Sequence, residues 1–558
     1  MPAIDAPYSV TDYLLDRLAE AGVDRLFGVP GDFTLGLLDY VENHAIVEWV
    51  GCANELGAGY AADGYARIRG LGAVCTTFGV GELSAINAVA GSYAEHVPVI
   101  HLVGAPTTAT QAAGRATHHS LGDGDFRHFA RMTAEVTCAQ ASLTVDNATD
   151  EIDRVLSESI ERRLPGYLLL PADVAAAPSE PPSAPLPSHP GVTSPQALDL
   201  FRDAAAALLA DAGSVAVLAD ILIERMGAQG SLDALLAHEL PHATLLWGRR
   251  VVDESSPSYV GTYMGAVSTP AVKEAIEGAD VLILAGVQFT DLTSGFFSQR
   301  LPDRLIDVGA RSSRIGGHTF APLSLSDAVE ALTSLVAERE FAGRVPTPFA
   351  AQAAVVPDRP GTRPLDQAGL WDIVSAHLTP GDIVLADQGT AFYGMGSHQL
   401  PHDVIFIGQP LWAAIGYTLP ASVGAALAAP SRRTVILIGD GAAQLTIADL
   451  GTLLRNRIPA IVLVVNNAGY TVERAIHGAD RAYNDIAQWD WAALATALGP
   501  DAGAHAVTVR NGDELNAALE SWTPDRLTLI EVVVPALDVP PLLAALAERV
   551  SSANARQS

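Results

Sequence analysis

Lysine is almost missing from this chain: of its 33 basic residues, all but Lys273 are arginine. A Schiff-base mechanism would have to use Lys273, whose setting, Ala271-Val272-Lys273-Glu274-Ala275-Ile276, reads as the exposed face of a helix. No Gly-Lys-Ser or Gly-Lys-Thr occurs, which excludes a Walker-type phosphate loop. Positive charge is scarce overall, with 63 acidic residues and a net charge of −30. Such a surface repels phosphate backbones and anionic lipid, so neither nucleic acid nor membrane is expected as a partner. The three cysteines, Cys52, Cys75 and Cys138, are far apart and form no Cys-x-x-Cys pair. That argues against a zinc site or a disulfide framework and points to a reducing, cytoplasmic compartment. The opening residues, Met1 to Pro7, have no basic stretch followed by an apolar run, so no secretory signal is expected. The longest uncharged stretch, Val404 to Ser431, is interrupted by Gly408, Gln409, Pro410, Thr418 and Pro420 and reads as a buried loop and helix.

What is present is apolar and long. The 558 residues suggest three or four domains at about 150 residues each, and 49% apolar content supplies large cores. Two stretches rich in Pro and Ala, Ala175–Pro195 and Ala342–Pro364, lack any pattern that would pack and read as linkers. They divide the chain into domains at 1–178, 195–345 and 365–558, with a frayed tail at Ser551–Ser558. Each block alternates short apolar strands with helical patterns, which predicts parallel sheets wrapped by helices. The strands fall at Ala73–Thr77, Val99–Val103, Ser214–Leu218, Val281–Ala285, Thr434–Ile438 and Ala460–Val465, with helices at Leu83–Ala94 and near Ala443–Arg455. Phe78-Gly79-Val80-Gly81 and Ile438-Gly439-Asp440-Gly441 each leave a strand, open a helix and reach a proline (Pro98, Pro459) after nearly equal distances. This suggests two related α/β domains flanking a third.

The sharpest local signal is Gly439-Asp440-Gly441 followed, one helix and one strand later, by Asn466-Asn467-Ala468-Gly469-Tyr470. A helical crossover between parallel strands brings Asp440 and Asn467 to the same carboxyl end of the sheet, where α/β sheets bind ligands. A carboxylate, an amide oxygen and backbone carbonyls suit a hard cation such as Mg²⁺ rather than zinc. Two side chains cannot fill six positions, so ligand oxygens must complete the set. A diphosphate does so, with Gly441 allowing close approach and the helix start favouring its charge.

The spacing of Gly-Asp-Gly and Asn-Asn resembles the thiamine diphosphate motif, and Asn466 to Glu473 looks like that of pyruvate and indolepyruvate decarboxylases. Phe27-Gly28-Val29-Pro30-Gly31-Asp32, the stretch Asn54 to Ala66 and the pair His118-His119 match the same family. Gln409-Pro410-Leu411-Trp412, Ile415-Gly416-Tyr417-Thr418 and Glu473 to Gly478 bring it nearest to indolepyruvate and branched-chain 2-oxo acid decarboxylases. The resemblance spans the chain and implies three doubly wound parallel-sheet domains. The first and third share the thiamine diphosphate-binding fold and flank a Rossmann-like middle domain.

The resemblance also implies roles. Thiamine diphosphate and Mg²⁺ would be the cofactors, and a 2-oxo acid would leave as aldehyde and carbon dioxide. Glu55 would bond the pyrimidine ring. From the residues alone it is an acid in the first turn of a Gly/Ala-rich helix, answering the helix dipole, or raised in pKa by burial. Asp32, His118 and His119 would handle protons opposite the thiazolium, and Glu473 would face the substrate carboxylate. Asp440, Asn467 and Gly469 would hold the metal. Thr390, Ala413, Ile415, Asp440, Gly441, Ala442, Asn467, Gly469 and Tyr470 would hold the cofactor, Ile415 propping it in a bent shape. Ala413 stands where the family commonly has Gly, and the contact expected there is a backbone carbonyl. Gln388, Phe392, Val472, Ile476 and either Leu542 or Leu543 would line the substrate pocket, with Val472 leaving room beyond pyruvate. Val472 and Ile476 share a helix face. Each cofactor would lie between two subunits, giving a homodimer at minimum and a homotetramer at full size. A pyruvate-preferring decarboxylase and a carboligase or oxidase on the same fold are the alternatives. His118-His119 and Glu473 speak against a flavin-bearing oxidase or acetohydroxyacid synthase.

Overall fold

The computed structural model describes residues 7–187, 193–339, 341 and 361–557, with side chains as far as 550. Three sheets organise it. The first has strands β1 (Arg25–Gly28), β2 (Glu48–Gly51), β3 (Gly72–Thr77), β4 (Val99–Ala105), β5 (Ala139–Ser142) and β6 (Gly166–Pro171), all parallel, in the order β2-β1-β3-β4-β6-β5. The second has β7 (Val215–Ala219), β8 (His242–Thr244), β9 (Tyr259–Thr262), β10 (Val281–Ala285), β11 (Leu305–Val308), β12 (Ser313–Ile315) and β13 (His318–Phe320), ordered β13-β12-β11-β10-β7-β8-β9. The third has β14 (Ile383–Ala386), β15 (Ile405–Ile407), β16 (Thr434–Gly439), β17 (Ile461–Asn466), β18 (His505–Val509) and β19 (Thr528–Val533), again all parallel, ordered β15-β14-β16-β17-β19-β18. The first and third sheets thus run through their strands in the same sequence of positions, as their matched strand-helix signals suggest.

The expected strands fall within one residue of β3, β7, β10, β16 and β17, and β4 runs two residues further than expected, to Ala105. Strands β3, β4 and β6 are buried along their whole length, and β16 and β17 all but their last residue, because helices cover both faces, and their sequences are correspondingly mostly apolar. The middle sheet departs from an all-parallel design. Strands β12 and β13 form an antiparallel hairpin at its edge, turned by Gly316-Gly317, the first at φ +58°. The helix near Ala443–Arg455 is two helices, Asp440–Thr446 and Ala448–Arg455. The helix expected from Leu83 begins at Val80, because Glu82 reaches back to the Gly79 amide and caps it. The tail from Ser551 continues the helix Pro541–Gln557 instead of fraying, since adding Ala and Arg to a formed helix costs little. Lys273 is half-buried, its ammonium donating to the Ala266 carbonyl, so its helix face is not open. The linker residues 342–360 and 188–192 lie outside the described residues. Among the described residues no helix is long and apolar enough to cross a membrane.

The chain forms two compact units, one from residues 1–190, 417–431 and 446–458, the other from 191–416, 432–445 and 459–558. In the first, the helix Glu55–Arg69 packs against the helix Thr418–Ala428 with small residues at the contact. A Cβ on Gly64 would meet the Ala421 carbonyl at 2.0 Å, and one on Gly424 the Ala61 carbonyl at 1.8 Å. Beside this seam Asp63 is buried and accepts from Arg67 Nε (2.6 Å), Tyr417 Oη (2.5 Å) and Ser92 Oγ (2.8 Å). In the second unit a buried Arg249–Glu254 pair (2.8 and 2.7 Å) ties the middle sheet's chain to the third sheet's. Arg249 donates to the Met395 carbonyl at 2.6 Å, and Glu254 accepts from the Leu400 amide at 2.9 Å.

The Gly424 contact predicts a contrast. Gly424→Ala pushes a methyl group into backbone and should cost about 1–3 kcal/mol or more. Gly36→Ala, at a helical position with nothing within 4 Å of the new methyl, should stabilise by up to about 1 kcal/mol. Urea denaturation of the two variants checks both signs.

Candidate functional site

The third sheet carries a cavity of about 300 Å³ at the carboxyl ends of its strands. Strands β16 and β17 are adjacent, with Gly439 opposite Val465, so the residues that follow them emerge side by side. Asp440 opens its helix and is 2% exposed, accepting from Gly441 N (2.7 Å) and Gly469 N (3.1 Å). Burial pushes its carboxyl up to about 6, against the pull of those amides. The two asparagines divide their work. Asn466 donates to Glu531 at 2.7 Å and anchors the strand end, while Asn467 turns to Asp440. Its side-chain oxygen lies 3.1 Å from Asp440 Oδ1 and 2.8 Å from the Gly469 carbonyl, with no proton to share. Turned over, the amide would donate to both. As oriented, the Asn467 oxygen stands about 3 Å from two other oxygens, the spacing of an octahedral edge around a small divalent cation with bonds of about 2.1 Å. Gly469 is at φ +133°, and a Cβ there would sit 2.1 Å from the Asn484 carbonyl. Arg474 pins the same loop through the carbonyls of Asn467 (3.3 Å) and Ala468 (2.9 Å).

The opposite wall is the segment Gln409–Gly416. The Gln409 carbonyl and side chain receive the amides of Ala413 (2.8 Å) and Ala414 (3.3 Å), and buried Asp387 receives Gly416 N at 3.0 Å. Ala413 sits at φ +55°. This left-handed backbone explains why glycine is common at the position, and Ala413 bears the strain of its Cβ. Ile415 and Thr390 line the cavity, Thr390 opening a helix directly after Gly389 at φ +133°.

Val472 and Ile476 line the cavity from one face of the helix Thr471–His477, and exposed Glu473 lies at its edge. Gln388 is there as expected. Its amide nitrogen donates to Tyr393 Oη at 3.1 Å, while its buried Oε1 has no partner among the described residues. Phe392 is not in the wall. Its helix turns the ring into the core against Phe406 (centroids 5.9 Å) and Gly408, and Ala391 and Tyr393 face the cavity instead. Of the two C-terminal leucines, Leu543 lines the cavity and Leu542 packs behind it. Sequence reasoning missed Leu292 and Phe296, from a loop of the middle sheet, and Leu546, Ala547 and Val550 from the last helix. The helical spacing of Leu543, Leu546, Ala547 and Val550 marks an apolar face but not what it faces. The loop carries no motif at all.

The first unit gathers the other expected residues at the carboxyl ends of β1 and β3. Asp32 Oδ2 is 2.6 Å from His118 Nε2, and its Oδ1 is 3.9 Å from His119 Nε2. Asp32 is therefore a histidine partner and not a helix cap; the helix Leu35–Asn43 starts after Thr34 without a side-chain cap. His118 stacks on Phe33 (5.0 Å, 15°), and His119 has a left-handed backbone at φ +64°. Glu55 is half-buried rather than enclosed. Its helix is capped by Asn54, which receives Gly57 N at 2.8 Å, and its carboxylate lies 3.3 Å from where a Cβ on Gly81 would be. Glycine at 81 thus makes room for it.

The sequence patterns of three thiamine pyrophosphate enzyme domains match this chain. The N-terminal TPP binding domain matches residues 8–128, the central domain 202–335 and the C-terminal TPP binding domain 393–532. The chain belongs to the thiamine pyrophosphate enzyme family. It is 56% identical over 546 residues, 97% of each chain, to the alpha-keto-acid decarboxylase of Mycobacterium tuberculosis (strain ATCC 25618 / H37Rv). It is 55% identical over 558 residues, 99% of this chain and 97% of its relative, to that of Mycobacterium leprae (strain TN). Among solved structures it is similar to the thiamine diphosphate-dependent 4-hydroxybenzoylformate decarboxylase of Rhodococcus jostii RHA1. The TM-score is 0.77 at 22% identity, covering 94% of this chain and 99% of that one, a likeness of fold.

Two outcomes follow from this geometry. Ala413→Gly relieves a left-handed alanine and should raise stability by about 1 kcal/mol, read as a higher melting midpoint with turnover retained. The second concerns Asp440 in metal-free protein. Folding raises its carboxyl from 3.8 to about 6, so the folded chain holds that proton more tightly than the unfolded one. This favours the fold fully below 3.8 and is lost as pH rises through about 6. Asp440→Asn should therefore raise the melting midpoint of metal-free protein more above that window than below it, measured by calorimetry at both ends.

Proposed function

We propose that this protein is a thiamine diphosphate- and Mg²⁺-dependent 2-oxo acid decarboxylase that releases an aldehyde and carbon dioxide, with a preference for aromatic or branched-chain substrates. The observation that supports the reading is the approach of the Asn467 side-chain oxygen to the Asp440 and Gly469 oxygens, in a chain aligned over 97% of its length with an alpha-keto-acid decarboxylase. The donor set, all oxygen around a buried carboxylate, fits Mg²⁺ and leaves positions for diphosphate oxygens. Gly441 and Ala442 would meet the diphosphate, and Thr390, Ala413, Ile415 and Tyr470 would hold the rest of the cofactor. Bound thiamine diphosphate supplies a carbon nucleophile for the 2-oxo group and takes up the electron pair released with carbon dioxide.

The chain's own residues do the remaining work. Glu55 would hold the pyrimidine ring in the state that lets its amino group take a proton. Asp32, hydrogen-bonded to His118 at 2.6 Å and 3.9 Å from His119, would with the two histidines deliver a proton to the carbon left by carbon dioxide. Glu473, at the cavity edge, would place a negative charge beside the substrate carboxylate and favour its loss. The apolar wall of Val472, Ile476, Leu292 and Phe296 suits a side chain larger than methyl. The unpartnered Gln388 Oε1 would accept a hydrogen bond from an indole N–H or phenol O–H. The domains proposed are 1–178, 195–345 and 365–558, the assembly a homodimer at minimum and a homotetramer at full size, and the setting cytoplasmic, in keeping with three free cysteines.

The test is aldehyde release from pyruvate, 3-methyl-2-oxobutanoate, phenylpyruvate and indolepyruvate, before and after exhaustive chelation and dialysis. Stripped protein should be inactive and recover only with Mg²⁺ and thiamine diphosphate together. Full activity after stripping defeats the cofactor reading. The kcat/KM for the aromatic acids should exceed that for pyruvate by about tenfold or more. A preference for pyruvate defeats the substrate class.

A further inference from the structure

Behind the histidine pair lies a buried acid that the reaction as described does not use. Glu82 is fully buried on the first turn of the helix Val80–Ala94. Its Oε1 accepts from the Gly79 amide and its Oε2 from the Tyr167 hydroxyl, both at 2.8 Å. Tyr167, which bonds it, belongs to an apolar cluster with Phe78, Phe126 and Phe129; among the described residues no ion pair to Glu82 forms. Gly79 has a left-handed backbone, φ +67°, and a Cβ there would lie 1.9 Å from the carbonyl oxygen of His119. The turn that Glu82 holds is thus the platform on which the His119 backbone, itself left-handed, is seated. Nothing in capping a helix requires the second oxygen to be tied to a tyrosine two strands away.

We propose that Glu82 and Tyr167 form a buried positioning pair for His119, fixing the Phe78–Gly79 turn against the His119 carbonyl so that the imidazole meets the reacting atoms at a set angle and with a set basicity. The inference rests on the role of His119 given above. Glu82 acts through the backbone and touches neither substrate nor cofactor. Among the described residues the titratable groups facing it are Tyr167 on β6 and, behind that ring, His101 on β4 (centroids 5.7 Å). His101 is bonded to Thr76 at 2.9 Å, and burial lowers its pKa to about 3, so it is neutral. Burial raises the Glu82 carboxyl to about 7, so both of its charge states are populated at neutral pH.

Glu82→Gln keeps an acceptor for the Gly79 amide and removes the charge. Tyr167→Phe removes only the hydroxyl and is the second variant should the first fail to fold. Each should lower kcat about tenfold while KM stays within about twofold. In Glu82→Gln the limb of the kcat–pH profile near neutrality should shift by about half a pH unit or more. Hydrogen exchange read by mass spectrometry, on holoenzyme and on cofactor-free protein, should show faster exchange in the peptide around His119 than in wild type. That exchange readout does not depend on turnover. Altered exchange with an unchanged pH profile upholds the seating of His119 and overturns its role in proton handling. An unchanged exchange rate at His119, with or without a lower melting midpoint, overturns the positioning pair.

Discussion

The site depends on one constraint: Asp440 is taken out of water with no side-chain ion pair among the described residues. Two backbone amides answer part of its charge, and burial still outweighs them. A carboxylate in that position is costly unless a cation completes it, and the neighbouring geometry follows from that need. Gly469 must be glycine because the loop doubles back on Asn484. Arg474 donates to the loop carbonyls and pairs with Asp485 at 2.9 Å, and its charge offsets only part of the burial of the acid. Asn467 presents either oxygen or NH₂ to Asp440 by a simple turn of its amide, so the one residue could stabilise the site without a cation and would serve as the ligand proposed for it with one. Loss of any of these would leave a buried charge with fewer partners, which is why the segment reads so clearly as a unit.

That legibility has a physical basis and a limit. Asp440 and Asn467 could be paired from sequence because parallel-strand grammar fixes where consecutive strand ends emerge. The same grammar marks β3, β4, β10 and β16 as short, mostly apolar strands between helices. It is silent where contacts cross between sheets: Leu292 and Phe296 reach the cavity from a loop with no periodicity, and no local pattern distinguishes Tyr393 in the wall from Phe392 in the core. Backbone conformation is equally hidden. Ala413 reads as a neutral substitution for glycine, yet at φ +55° it carries strain. The Thr418–Ala428 helix is apolar all round, which signals burial on every side but not that its partner is the helix Glu55–Arg69, hundreds of residues earlier.

The ionic contacts of the core illustrate how specificity is set. Asp63, Arg67 and Tyr417 in the first unit, and Arg249 with Glu254 in the second, are buried pairs whose desolvation offsets much of their attraction. Their value lies in register. Asp63 accepts three hydrogen bonds from three different elements, and Arg249 and Glu254 bond both to each other and to the backbone of residues 395–400. An apolar replacement could pack as well, but it could slide. The seam at Gly64 and Gly424 adds a steric version of the same demand, since only one alignment of the two helices lets backbone meet backbone.

Strands β3 and β16 occupy the same place in the first and third sheets, and each is followed by a glycine turn and a buried carboxyl at a helix start. Burial raises both acids, Glu82 to about 7 and Asp440 to about 6. What differs is how each is satisfied. Glu82 is one methylene longer and three residues into its turn, so it folds back on the Gly79 amide and meets Tyr167, closing its hydrogen bonds within the domain. Asp440 stands at the first helical position, its oxygens facing Asn467 and the Gly469 carbonyl, and its set of partners stays open. A single topological position therefore yields, by a shift of two residues and one methylene, an internally satisfied acid in one sheet and, in the other, an acid whose oxygens stay open to a partner from outside. The proposed division into a proton-handling half and a metal-binding half would rest on that shift.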